Sequence, residues 1–116
     1  MNGTAVTMDL LDPQMEAIFD ALGDRTRRRI IKRLAVGPLP VVEIAKDMPV
    51  ARPAVSQHLK ILKEAGLVVD RPVGNRRLYA LDPDGLVELR RFVETFWTDA
   101  LTRFAKFAER GLEAAE

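Results

Sequence analysis

The stretch RPAVSQHLKILKEA occupies residues 52–65 and is followed directly by Gly66. When successive residues are placed roughly 100° apart, as in an α-helix, the apolar side chains and one histidine fall on a single arc. That arc contains Ala54, Val55, His58, Leu59, Ile61, Leu62 and Ala65. The opposite arc contains Arg52, Pro53, Ser56, Gln57, Lys60, Lys63 and Glu64. The pattern predicts an amphipathic helix that packs one face inward and ends at the glycine.

A shorter helix is predicted immediately before this stretch. Pro40 can begin a helix and Pro49 ends the segment. The apolar positions between them are Val41, Ile44, Ala45 and Met48. The small side chain of Ala45 permits a close approach of the two helices. A helix, a tight turn and a second helix with a polar outer face are typical of the helix-turn-helix, whose second helix enters the major groove of DNA.

Two short segments rich in β-branched and apolar residues follow, at residues 67–71 and 76–81. Residues 72–75 read PVGN and supply a turn between them. The sequence therefore predicts a β-hairpin with its tip at Gly74 and Asn75. Basic side chains flank this tip, where they could lie along the minor groove or the phosphate backbone: Arg71, Arg76 and Arg77. A hairpin with solvated arginines is the alternative.

Two further helices are predicted upstream. Asp12 and Pro13 form a helix start, Gly23 ends that helix, and Asp24 can cap a second helix that ends at Gly37. Between these signals the apolar residues recur with the period of a helix. Both helices therefore precede the helix-turn-helix in the chain.

The predicted elements have the order α-α-α-α-β-β-α, mainly helical with a small hairpin, which is the order of a winged helix-turn-helix. The last helix extends from residue 83 to about residue 111, because no strong breaker intervenes. A chain of 116 residues has room for one core of ordinary size, so we expect a single domain over residues 12–113. Residues 1–11 are polar and aperiodic, and we predict a flexible tail there.

Charge is distributed unevenly along the chain, although the net charge is +1. Residues 1–24 contain five acids and no base, residues 25–81 contain 13 bases and 4 acids, and residues 82–116 contain 5 bases and 8 acids. A basic middle between acidic ends is expected of a protein whose centre meets a polyanion, and a solvated surface is the alternative.

Composition excludes several classes of chemistry. Without cysteine there is no disulfide, thiolate metal site or catalytic cysteine. No apolar run approaches the roughly 20 residues of a membrane span, and no secretory signal is present, so we expect a cytoplasmic protein without a membrane partner. Ser56 and His58 point to opposite sides of their helix, and the chain has no second histidine. We therefore predict no enzyme activity and no cofactor, and interpret His58 as a hydrogen-bonded packing residue.

The last helix carries an apolar stripe that spans about half of its circumference. Its members are Leu86, Leu89, Phe92, Val93, Phe96, Trp97, Ala100, Leu101, Phe104, Phe107 and Ala108. A domain of this size cannot cover such a stripe by itself, which predicts a dimer interface. Packing within one subunit, or the lining of a small-molecule pocket, is the alternative.

Three blocks of the sequence resemble the ArsR/SmtB-type bacterial winged-helix regulators. They read ALGDRTRRRIIKRL (residues 21–34), RPAVSQHLKILKEAGLV (52–68) and RPVGNRRLYAL (71–81), and the resemblance extends over residues 15–112. It implies a homodimer built from the first and last helices, with two recognition helices on a near-palindromic operator. Together with the stripe it implies an interface of Met15, Ile18, Phe19, Leu89, Phe92, Val93, Phe96, Trp97, Ala100, Leu101 and Phe104.

Many members of that family sense metals through a cysteine pair in the third helix, or through histidines and acids in the last helix. In this chain the cysteine-pair positions are Pro40 and Val42, and the last helix has no histidine. Carboxylates such as those of Glu94, Asp99 and Glu109 are left as ligands for a hard cation. The resemblance is therefore to a member that does not sense metals at the usual sites, and we predict no metal site.

The predicted function is that of a sequence-specific transcriptional regulator, in the first instance a repressor, that binds double-stranded DNA as a homodimer. The candidate contacts on the fourth helix are Arg52, Pro53, Ser56, Gln57 and Lys60. Arginine suits a guanine edge and glutamine an adenine edge, whereas lysine and serine favour phosphates. Pro53 could touch a thymine methyl group or simply start the helix.

Other assignments remain open at this point. Residues 25–29 could hold a phosphate, although pairing of their arginines with Asp20 or Asp24 explains them equally well. A winged-helix protein-interaction module would use the face between Phe96 and Phe107. A sensor of a small ligand would place its pocket among the aromatic residues of the first and last helices. Release of the operator could follow the binding of a small-molecule or protein effector, whose identity the sequence does not indicate, or it could require no effector.

Overall fold

The computed structural model describes residues 12–115, with side-chain surroundings for residues 12–111. Within this range the chain forms five helices and three strands. In chain order they are α1 (Pro13–Leu22), α2 (Arg25–Leu34), β1 (Leu39–Pro40), α3 (Val41–Ala45), α4 (Arg52–Glu64), β2 (Val68–Val73), β3 (Arg76–Leu81) and α5 (Pro83–Ala115). The predicted order of helices and hairpin is confirmed. The tail predicted for residues 1–11 lies outside the described residues.

The helix starts follow from local capping chemistry. The Asp12 carboxylate accepts a hydrogen bond from a backbone N–H in the first turn of α1 (2.8 Å), and Asp24 accepts one from the Arg27 N–H of α2 (3.0 Å). Each carboxylate satisfies a donor that the helix itself leaves unpaired, as predicted from the sequence. The start of α4 is different, because Ala51 at its N-cap position makes no side-chain cap and Pro53 lies in the first turn.

The strands form one antiparallel sheet in the order β1-β3-β2. A two-residue turn joins β2 to β3, in which Gly74 has a φ of 64° and Asn75 has no positive φ, the arrangement of a type II′ turn. The hairpin is longer than the sequence predicts. Pro72 and Val73, assigned there to the turn, belong to β2, because two residues suffice for the reversal.

Strand β1 is not predicted from the sequence, because Pro40 is assigned there to the start of the third helix. Leu39 and Pro40 pair with Tyr79 and Leu78 of β3. A two-residue strand has no periodicity to detect, and proline is compatible with a strand at the edge of a sheet. The helix α3 therefore begins one residue later, at Val41.

The helix α4 lies at the centre of the subunit, in contact with α1, α2, α3 and β2. Val55, Leu59 and Leu62 of α4 are fully buried. The same holds for side chains from the surrounding segments: Ile18, Ile30, Ile44, Leu67 and Val68. Burial of a side chain of this size contributes roughly 1.5–3 kcal/mol. The predicted apolar arc of α4 is thus the centre of the core.

Two residues assigned to the dimer interface belong to this core instead. Met15 is 5% exposed and Ile18 is fully buried. The helix α1 packs against α2, α4 and α5, so these positions, one helical turn apart, face the interior of the subunit. Phe19, on the neighbouring strip of α1, is 43% exposed and remains on the surface.

The helix α5 joins the subunit through its first turns. Gly85 is buried against the loop at Gly66, and a Cβ atom at Gly85 would lie 1.8 Å from the Gly66 carbonyl oxygen. Further along, Leu89 and Phe92 pack against the core, and the Phe92 ring meets Phe19 edge-on with a centroid distance of 4.9 Å. Of the helices within residues 12–115, including this one of 33 residues, none has the length and apolarity needed to cross a membrane.

Candidate nucleic-acid interface

The polar face of α4 is open to solvent. The predicted contact residues on it are all exposed, whereas the opposite face of the same helix is buried: Arg52, Pro53, Ser56, Gln57 and Lys60. In the described part of the chain no carboxylate lies within ion-pair distance of Arg52 or Lys60. The N-terminal half of α4 therefore presents cations and hydrogen-bonding groups to an external partner.

Arg27 connects α1, α2 and α4. Its Nε donates to the Ala21 carbonyl (2.7 Å), its Nη2 donates to the Asp20 carbonyl (3.2 Å), and its Nη1 lies 3.3 Å from Nδ1 of His58. These carbonyls belong to the last turn of α1, where a cation both satisfies them and interacts favourably with the helix dipole. His58 is half-buried and has the packing role expected from the sequence.

Other arginines of α2 also have partners within the subunit. Arg28 donates to the Leu22 carbonyl (2.8 Å), and Arg33 donates to a backbone carbonyl of α3 (2.8 Å). For residues 25–29 the sequence leaves open a bound phosphate or pairing with Asp20 or Asp24. Arg27 and Arg28 bind backbone carbonyls instead, because the end of α1 lies beside them. Their guanidinium groups therefore hold the C-terminal end of α1.

The hairpin places its basic side chains on two different faces. Residues paired across antiparallel strands share a face, and the register pairs Arg71 with Leu78 and Val73 with Arg76. Arg71 and Arg76 therefore lie on the face of the sheet that is turned away from α4. Arg77 alternates to the opposite face, on the side of the core and α4. All three arginines are exposed, but they do not form one patch.

Asp70 links α4 to the hairpin. Its Oδ1 lies 2.7 Å from Nζ of Lys63 in the last turn of α4, and its Oδ2 lies 2.9 Å from Nη1 of Arg77 on β3. The hydrogen bond from Lys63 lowers the pKa of Asp70 below its usual value; burial opposes this effect and the hydrogen bond from Arg77 adds to it. Asp70 is thus ionised at neutral pH. Arg77, predicted to contact DNA, has an internal partner.

The outer part of α5 leaves apolar side chains uncovered. With Phe19 of α1 they form a surface called the α5 face, whose members are Phe19, Val93, Phe96, Trp97, Leu101, Phe104 and Phe107. Phe104 and Phe107, near the C-terminal end of this face, are 68% and 74% exposed. Of the other predicted interface residues, Leu89 and Phe92 are half-buried against the core and Ala100 is half-buried. A contiguous apolar patch of this kind marks an interaction site.

Residues 24–69 match the family model for the bacterial regulatory proteins of the arsR family. Over 91 residues the chain is 59% identical to the HTH-type transcriptional regulator Rv2034 of Mycobacterium tuberculosis. The alignment covers 78% of this chain and 85% of that relative. The chain belongs to the ArsR family. The resemblance carried by the three sequence blocks is therefore confirmed.

Solved structures place the fold among other ArsR-family proteins. The crystal structure of a possible transcriptional regulator for arsenical resistance has a TM-score of 0.64 and 42% identity, covering 75% of this chain and 91% of its own. The solution structure of the homodimeric winged helix-turn-helix DNA-binding domain Mb0332 of Mycobacterium bovis has a TM-score of 0.62 and 26% identity. The match covers 89% of this chain and 92% of the domain of Mycobacterium bovis. This ArsR-family protein is a DNA-binding transcriptional regulator with a winged helix-turn-helix fold, and it is not an enzyme.

Two groups of contacts that support the interface in this ArsR-family protein are not predicted from the sequence. Asp70 alternates to the same face of β2 as the buried Val68, so a carboxylate on that face needs a cation nearby; this signal is present in the sequence. The bonds from Arg27 to the end of α1 leave no such signal, because backbone carbonyls are common to every residue type. Their position depends on how the helices pack.

Proposed function

We propose that this protein represses transcription by binding a near-palindromic operator as a homodimer, with α4 of each subunit in a major groove. The observation that carries the proposal is that the polar face of α4 is exposed while its apolar face is buried. Arg52 is suited to a guanine edge and Gln57 to an adenine edge, and Ser56 and Lys60 are suited to phosphates. Pro53 lies in the first turn of the helix, where its apolar ring is suited to a thymine methyl group.

The hairpin adds contacts that do not depend on sequence. Arg71 and Arg76 are exposed and have no ion pair within the described residues, so they are suited to phosphates or to the minor groove. Arg77 contributes less in this proposal, because Asp70 engages one of its nitrogen atoms. The hairpin thus supplies affinity and α4 supplies sequence selection.

The α5 face is proposed to be covered by the same face of a second subunit. A twofold axis brings together two identical apolar surfaces and requires no other partner. The domain of Mycobacterium bovis that shares the fold is described as homodimeric. The same axis would present two α4 helices to two half-sites, which is why the operator is expected to be nearly palindromic.

The protein is proposed to act in the cytoplasm, where the chromosome lies. Its regulation is proposed not to use the metal sites of metal-sensing relatives. Pro40 and Val42 occupy the positions of the cysteine pair and offer no ligand. Added zinc is expected to leave the affinity for the operator unchanged. Release of the operator by zinc at micromolar concentration would contradict this part of the proposal.

The test of function is the selection of bound sequences from random duplex DNA, which is expected to yield a twofold-symmetric consensus. Arg52→Ala or Gln57→Ala should then relax discrimination at single positions, by about 1–3 kcal/mol each. Arg76→Ala should weaken all duplexes alike and flatten the salt dependence. Arg90→Ala, on α5 and paired with Glu94, is the matched control without effect. Equal effects from all four substitutions would contradict the assigned roles.

The test of assembly is sedimentation equilibrium. Phe104→Glu introduces a charge into the α5 face and should convert the dimer into monomers with the same circular dichroism. Val36→Glu is the control, since Val36 is 85% exposed on a loop and lies outside the α5 face. A protein that is monomeric before substitution and binds no duplex at low salt would instead favour the protein-interaction module.

A further inference from the structure

The carboxylate of Asp70 lies between the recognition helix and the hairpin. Its side chain is 8% exposed, whereas those of Lys63 and Arg77 are 54% and 53% exposed. Each carboxylate oxygen is engaged by one cation, at 2.7 Å and 2.9 Å. In the sheet Asp70 pairs with Tyr79, and Arg77 is its diagonal neighbour on β3, within reach of a long side chain.

The two ion pairs of Asp70 with Lys63 and Arg77, called here the Asp70 bridge, involve a part of the hairpin that does not pack against the core. Val68 at the start of β2 is buried, but residues 71–77 are all exposed. Asp70 is the last residue of β2 before this exposed segment, and it connects the segment to the C-terminal turn of α4. Because the carboxylate is covered, solvent and salt screen its ion pairs with Lys63 and Arg77 less than an ordinary surface ion pair.

The Asp70 bridge also determines how much positive charge the hairpin and α4 present. Lys63 and Arg77 lie beside the exposed polar face of α4, and the carboxylate of Asp70, whose side chain is 8% exposed, neutralises part of their combined charge. Contacts to phosphate raise affinity for every sequence and carry no sequence information. A carboxylate that restrains two nearby cations therefore lowers affinity for DNA in general while keeping the interface in one geometry.

We propose that Asp70 is a positioning residue for DNA recognition, which holds the wing against the recognition helix and restrains Lys63 and Arg77 from non-specific phosphate contacts. This inference rests on the proposed DNA-binding function. This role and a purely structural role predict opposite changes in the affinity for DNA of unrelated sequence. Loss of a structural ion pair weakens binding, whereas loss of Asp70 releases two cations and strengthens binding to DNA of unrelated sequence.

The first experiment compares Asp70→Asn with the native protein on the selected operator and on a random duplex, across a series of salt concentrations. Asparagine keeps the shape of the side chain and removes its charge. For the random duplex, the slope of log affinity against log salt should steepen by about one to two per subunit, and the affinity should rise about threefold to tenfold at low salt. Discrimination between operator and random duplex should fall by a similar factor.

The matched control is Asp99→Asn, which changes the net charge by the same amount. Asp99 is exposed on α5 and forms no ion pair within the described residues. Its substitution should leave the slope unchanged. Adding Lys63→Gln to Asp70→Asn should remove about one unit of the gained slope per subunit, because it removes one of the released cations.

A second comparison requires no change at Asp70 and covers the case in which Asp70→Asn does not fold. Lys60 and Lys63 are exposed residues of the same helix, and the carboxylate engages Lys63. Lys60→Gln should flatten the salt slope by about one per subunit, and Lys63→Gln should flatten it by much less. Equal flattening by the two substitutions would overturn the inference.

The outcomes separate this inference from the proposed function. If the native protein binds no duplex at low salt, the proposed function fails. If the native protein binds its operator, but Asp70→Asn has the slope of Asp99→Asn or only loses affinity, the proposed function stands and the role of Asp70 is refuted.

Discussion

The helices α4 and α5 have the same kind of sequence pattern and different surroundings. In α4, Val55, Leu59 and Leu62 are fully buried within the subunit. In α5, the corresponding stripe is covered only in its first turns, and Phe104 and Phe107 are 68% and 74% exposed. An apolar stripe shows that a helix needs a partner, but it does not show whether that partner belongs to the same chain.

The polar faces of the two helices differ in the same way. On α5, Arg90 pairs with Glu94 at 2.9 Å and Arg91 pairs with Glu88 at 3.2 Å, which is typical of a solvated helix surface. The N-terminal half of α4 has cations without such partners in the described residues. Basic residues that lack internal acids are the better indicator of a nucleic-acid interface than the number of basic residues.

The largest expected effect is a loss of subunit stability when the buried apolar stripe of α4 is truncated. Leu59→Ala should lower the free energy of unfolding by about 3 kcal/mol, because it leaves a cavity among fully buried side chains. Phe104→Ala should change the unfolding of the isolated subunit by less than about 0.5 kcal/mol and weaken the dimer about tenfold. Urea unfolding of dilute protein and sedimentation equilibrium measure the two quantities. Similar losses of subunit stability would remove the distinction between α4 and α5.

The second prediction concerns the point at which α5 joins the subunit. Gly85→Ala should lower the free energy of unfolding by about 2 kcal/mol, because the new Cβ would meet the Gly66 carbonyl at 1.8 Å and the helix must shift. Gly111→Ala is the control on the same helix, where a Cβ meets nothing within 4 Å. It should raise helix stability by up to about 1 kcal/mol. If thermal unfolding ranks the two variants in the reverse order, the close packing of Gly85 against Gly66 is refuted.

The third prediction concerns α2, whose Arg27 lies against His58 of α4. The backbone N–H of Arg27 donates to Asp24 and lowers the pKa of that carboxyl below its usual value. Asp24→Ala should lower the free energy of unfolding by about 1 kcal/mol at neutral pH. A lowered folded-state pKa means that this contribution is complete above about pH 4, the usual pKa, and is lost as the pH falls through the folded-state value.

The control for that pH dependence is Asp24→Asn, which retains a capping oxygen and does not titrate. Its stability relative to Asp24→Ala should stay constant with pH, while the advantage of the native protein over Asp24→Ala should fall in acid toward that of Asp24→Asn, because only the contribution of the ionised carboxylate is lost. Urea unfolding at a series of pH values distinguishes these curves. A native advantage that persists unchanged to pH 2 would show that the ionised carboxylate is not what stabilises α2.

The smallest effect is a gain. Ala51→Ser supplies the side-chain oxygen that α4 lacks at its N-cap and should raise the free energy of unfolding by about 0.5–1 kcal/mol. Ala105→Ser, at an exposed position inside α5, should lower it by a few tenths of a kcal/mol, since serine is a weaker helix former than alanine. If both substitutions destabilise, the start of α4 is already satisfied by its packing.

Local rules predicted much of the fold and the exposed face of the candidate site. Asp12 and Asp24 cap their helices as expected, and Gly74 forms the hairpin turn. The same rules failed for Met15 and Ile18, whose place in the core depends on three other elements that pack against α1. They also missed β1, which exists because it pairs with β3 more than 35 residues away.

The sequence by itself determined the helices, the hairpin and the polar face of α4, because each depends on residue types within one short segment. The tertiary structure alone decided which apolar residues are covered and which charges have partners. Arg27 and His58, or Lys63, Asp70 and Arg77, meet through packing between different elements. Contacts of that kind depend on where segments lie in space, and no local periodicity encodes them.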